Sequence, residues 1–66
     1  MNFKRWLERS PYTPATLAVL LGVTRQTVYT WINGEKIPKP ANLKRLRVLS
    51  DGALSIESFP ALNDRA

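Results

Sequence analysis

Residues 21–34 read LGVTRQTVYTWING, from Leu21 to Gly34. At about 100° per residue, Val28, Trp31 and Ile32 share one arc of a helix. Arg25, Gln26, Tyr29, Thr30 and Asn33 fall on the nearly opposite arc. A helix of this pattern buries one face and holds out a row of long, neutral or cationic hydrogen-bonding side chains. Thr24 stands where an N-cap hydroxyl is wanted, and Gly34 stops the helix near Ile32 or Asn33.

Upstream, Thr13 followed by Pro14 is an N-cap followed by proline at the first helical position. The spacing predicts a helix from Pro14 to about Leu21 that buries Leu17, Ala18 and Leu21. Two helices crossing steeply through a short turn need a small residue where they touch, and Ala18 supplies it. They need a glycine in the turn, and Gly22 supplies a left-handed backbone there. Val23, Val28 and Trp31 then fold back onto the first helix of the pair.

Further out, Asn2 caps a first helix, FKRWLERS, with Phe3, Trp6 and Leu7 at i, i+3 and i+4. After the central pair, EKIPKP is a loop stiffened by Pro38 and Pro40. A fourth helix is expected from about Ala41 to Ser50, with Leu43, Leu46 and Leu49 inward and Val48 widening that stripe. Asp51 and Gly52 end it. ALSIESF, residues 53–59, reads as Ser55 capping a single helical turn, with Ile56 and Phe59 packing at i, i+3. It also reads as a short strand in which Leu54 and Ile56 alternate with Ser55 and Glu57. The helical turn is favoured. The expected fold is therefore all-α, a small domain of four to five helices over residues 1–60. A strand at the C-terminal end would make it α+β. Residues 61–66 are expected to be a disordered tail.

The chain has 66 residues, so one small domain with a marginal core is expected. It contains no cysteine and no histidine, which removes the thiol nucleophile, the usual general base and the usual zinc ligands. No metal, cofactor or small-molecule ligand is expected. The longest apolar run, LAVLLGV, falls far short of the ~20 residues of a membrane span. The start, MNFKRWLERS, is too charged for a signal peptide's core, and a small secreted domain usually needs disulfides, so the cytoplasm is expected.

The net charge is +5 and the isoelectric point about 10.3. Nine of the cations stand in residues 1–47 against Glu8 and Glu35, giving +7, while residues 48–66 carry −2. The first 47 residues suit a polyanion and the remainder does not.

Taken together, Leu17, Ala18, Leu21, Gly22, Val23, Val28 and Trp31 make Thr13 to Asn33 resemble the helix-turn-helix DNA-binding family. The resemblance implies that the second helix of the pair enters the major groove of double-stranded DNA. Arg25 then reaches guanine O6 and N7, and Gln26 adenine N6 and N7. Tyr29 meets a thymine methyl or a phosphate, or else packs on a neighbouring loop. Thr30 joins the base-facing row, and Asn33 reaches the edge of the site. Thr13, Thr16, Thr24, Thr27, Lys36 and Lys39 are the expected phosphate contacts. Lys44, Arg45 and Arg47 are further phosphate contacts or simply the wet face of the fourth helix. Trp6 and Trp31 stand at core spacing. Over residues 3–60 the chain looks like the small Cro-type repressors of phages and prophages. That resemblance implies a repressor that binds a palindromic operator as a dimer. The small core and the apolar residues of the last section point to Ser50–Phe59 as a weak two-fold contact, with Leu54, Ile56 and Phe59 as its anchors.

An enzyme would have to work with carboxylates or a lysine. Glu8, Glu35, Asp51, Glu57 and Asp64 are scattered, and no pair shares a helical face. Two readings remain beside the regulator. One is a protein-interaction or antitoxin-like module, against which the basic front section argues. The other is an architectural or recombination accessory protein that uses the same motif.

Overall fold

A computed structural model describes residues 2–59. The chain is all-α: α1 is Phe3–Arg9, α2 Pro14–Leu21, α3 Arg25–Ile32 and α4 Pro40–Leu49. A single 3-10 turn, Ile56–Ser58, follows, and no strand occurs among the described residues. The expected tail at 61–66 lies outside the described residues.

Local chemistry starts the first three helices. Asn2 Oδ1 accepts the amide of Arg5 at 3.3 Å. Thr13 Oγ1 accepts that of Thr16, and Thr24 Oγ1 that of Thr27, each at 3.1 Å. These bonds satisfy amides that have no partner inside the helix. The fourth helix differs: Lys39 holds its N-cap position and makes no side-chain capping bond, leaving Pro40 to start the helix.

Three helices end in the same way. Val23 N donates to Ala18 O at 3.0 Å, Glu35 N to Thr30 O at 2.9 Å, and Gly52 N to Arg47 O at 2.8 Å. Each closing bond needs a left-handed residue just before its donor. Gly22 (φ 70°) and Gly34 (φ 77°) fill that role after α2 and α3, whereas Asp51 (φ 55°) fills it after α4.

The core gathers Phe3 and Leu7 from α1, Leu17, Ala18 and Leu21 from α2, Val28 and Trp31 from α3, and Leu46 from α4. Leu54 and Phe59 close it from below. Phe3 is its aromatic centre, with the Phe59 ring 4.9 Å away and Trp31 edge-on at 6.1 Å. Leu43 and Leu49 pack against this cluster half-buried. Arg45 Nη1 reaches back to Leu21 O at 3.5 Å, placing a cation at the C-terminal end of α2.

Two expectations for the apolar pattern fail. Val48 does not widen the α4 stripe; it is 75% exposed. The reason is geometric, since Val48 lies about 200° around the helix from the buried Leu46. The turn after α4 is helical rather than a strand, with Ser55 Oγ accepting the Glu57 amide at 3.3 Å. Ile56, however, does not pack beside Phe59 at i, i+3. The 3-10 turn stops at Ser58 and Phe59 is extended (φ −118°, ψ 102°), so the helical alignment never reaches it. Leu54 enters the core instead. Its amide donates to Ser50 Oγ at 3.0 Å, which anchors the segment under α4.

Candidate nucleic-acid interface

Two successive threonine pairs start α2 and α3. Thr13 Oγ1 lies 2.9 Å from Thr16 Oγ1, and Thr24 Oγ1 lies 2.9 Å from Thr27 Oγ1. The first hydroxyl of each pair already accepts a backbone amide. One hydroxyl must donate to the other, so each pair keeps one O–H free for an outside acceptor. Neither helix has a carboxylate in its first turn, so both N-terminal ends present uncompensated amides and hydroxyls.

The exposed face of α3 has the composition the sequence reading expects. Arg25, Gln26, Tyr29 and Asn33 are exposed, while Val28 and Trp31 are buried on the opposite side. Gln26, Tyr29, Thr30 and Asn33 follow the i, i+3, i+4, i+7 row that runs straight down a helix. Thr30 is the weakest member. It is half-buried and its hydroxyl donates to Thr27 O at 2.6 Å, leaving it only acceptor capacity. Its carbonyl takes the amides of Glu35 and Lys36, so Thr30 chiefly shapes the end of α3.

Depressions flank α3 on two sides. In one, Thr27 and Trp31 meet Lys36, Lys39 and Asn42 across the loop after α3. In the other, Thr13 and Ile32 meet Lys4, Glu8 and Tyr12. Each combines a lysine with a threonine of a capping pair, the combination that seats a phosphate; Glu8 makes the second the less cationic. The sequence reading missed Lys4, Tyr12 and Asn42, which join these groups only through space. The dimer anchors need correction. Leu54 and Phe59 are each 1% exposed, spent in the chain's own core, and of that trio only Ile56 (55%) is at the surface. Both belong to the buried cluster that also holds Phe3 and Trp31, with the Phe59 ring 4.9 Å from Phe3.

The packed pair α2 and α3, the glycine turn between them and the polar outer face of α3 define a DNA-binding helix-turn-helix domain. Residues 11–51 match the family described as helix-turn-helix domain, and the chain belongs to that family. No curated protein and no solved structure matches the chain. No helix among the described residues is long and apolar enough to cross a membrane.

Proposed function

We propose that this chain is a sequence-specific transcriptional regulator of the Cro type, a repressor that lays α3 in the major groove of a palindromic operator. One observation carries the reading: α3 exposes Arg25, Gln26, Tyr29 and Asn33 on one face, and the helix contains no carboxylate. A face of donors and acceptors without negative charge suits base edges between two rows of phosphates. In this reading Arg25 and Gln26 are the principal base readers. Tyr29 and Asn33 extend the footprint, and Thr30 contributes through its remaining acceptor. Thr13, Thr16, Thr24 and Thr27 hold phosphates with their free hydroxyls, joined by Lys36 and Lys39.

The two-fold contact on a palindrome is weak in this proposal. With Leu54 and Phe59 committed to the core, Ile56 is the exposed apolar side chain left for it among the three anchors. Dimerisation is therefore completed on the operator, where two half-sites hold two copies together. Selection from random duplex DNA, followed by sequencing, tests the function. Recovery of an inverted repeat supports it; recovery of no preferred sequence contradicts it.

A further inference from the structure

The surface left over by the DNA reading lies between α2 and α4. Leu20, Leu21, Val48 and Leu49 line an open groove there, with Lys44 and Arg45 on its rim. Val48 is 75% exposed, Leu20 is half exposed, and Val19 beside it is 80% exposed. Contiguous large apolar groups of this kind on a soluble fold mark a contact surface. Leu20 lies about 200° around α2 from the buried Ala18. No α3 residue lines the groove, so an occupant leaves the recognition helix free.

The rim chemistry selects the occupant. Arg45 is partly spent on Leu21 O, but Lys44 and Arg47 are exposed and border Val48, with Asp51 at the end of the strip. A second copy of this +5 chain would set these cations against their own kind. A phosphate backbone would satisfy the cations and leave Leu20 and Val48 nothing to bury against. An apolar groove rimmed by lysine and arginine is complementary to an apolar side chain flanked by carboxylates. We propose that it docks an acidic amphipathic segment of another protein, with its apolar side chain between Leu20 and Val48 and its carboxylates on Lys44 and Arg47.

The test is an NMR titration of the isotope-labelled chain with a synthetic helical peptide carrying leucine on one face and glutamate on the other. Saturable shifts are expected at Leu20, Lys44 and Val48, with Arg25 and Gln26 unmoved. Val48→Asp should weaken the peptide ~10-fold or more, a loss of about 1.4 kcal/mol or more. The uncharged Val48→Ser should also weaken the peptide, while its affinity for duplex DNA stays unchanged. Equal binding of a scrambled peptide of the same composition, or shifts centred on Arg25 and Gln26, would overturn the proposal in favour of simple polyanion attraction. So would a self-association in sedimentation, or binding to anionic phospholipid vesicles, that Val48→Asp abolishes while the peptide fails to bind.

Discussion

The amide of Val23 donates to the carbonyl of Ala18 at 3.0 Å, and at that bond α2 ends and the turn into α3 begins. The bond requires Gly22 to be left-handed, at φ 70°. A Cβ at Gly22 would meet nothing within 4 Å, so the cost of replacing it is conformational rather than steric. Gly22→Ala should lose ~1–2 kcal/mol in denaturant unfolding, and Gly22→Val at least as much. Ala18 is buried in the core, so Ala18→Leu should lose ~1–3 kcal/mol by overpacking. Unchanged unfolding midpoints for all three would mean that this turn does not set the geometry of the pair.

Lys39 occupies an N-cap position and caps nothing. Lys39→Ser should supply the missing bond and raise stability by ~1 kcal/mol, about 4–8 °C in melting temperature for a domain of this size. The same change should lower affinity for every duplex and flatten the log–log salt dependence by roughly 0.9, the value for one phosphate. A variant that is both more stable and equally tight on DNA would remove Lys39 from the phosphate contacts.

Phe59 and Ile56 offer a paired check of the C-terminal segment. Phe59→Ala removes a ring that stands 4.9 Å from Phe3 and should cost ~3–5 kcal/mol. A chain of this size has only roughly 3–10 kcal/mol in all, so the variant should be largely unfolded on warming. Ile56→Ala should stay within ~0.5 kcal/mol, as surface changes do. Comparable losses from both would place Ile56 in the core after all.

Much of this was legible in the sequence because it is local. Asn2, Thr13 and Thr24 start helices by bonding amides three residues on, and Gly22 and Gly34 end them by adopting one backbone conformation. The end of α4 was less legible. A glycine stands at position 52, yet the residue that takes the first left-handed turn is Asp51. Periodicity gave the spacing of Leu43, Leu46 and Leu49, but it does not say how wide the buried arc is, and so Val48 was misplaced. Leu54 and Phe59 were recognised as apolar anchors. What they anchor depends on Phe3 and Trp31, far away in sequence. Lys4, Tyr12 and Asn42 carry no motif and come beside Thr13 or Thr27 only when the chain has folded.

The central claim is that the outer face of α3 reads bases. It is tested most directly by comparing the base preferences of the wild-type chain, Arg25→Ala and Gln26→Ala across a randomised duplex library. Both side chains are exposed, so neither change should alter melting appreciably. Gln26→Ala should lose ~1–3 kcal/mol on the preferred operator, with non-specific binding hardly changed, and should relax the preference at one base pair per half-site. Arg25→Ala should relax a different base pair and also weaken binding to all DNA through the lost charge. Wild-type rank order across the library for both variants would contradict the account.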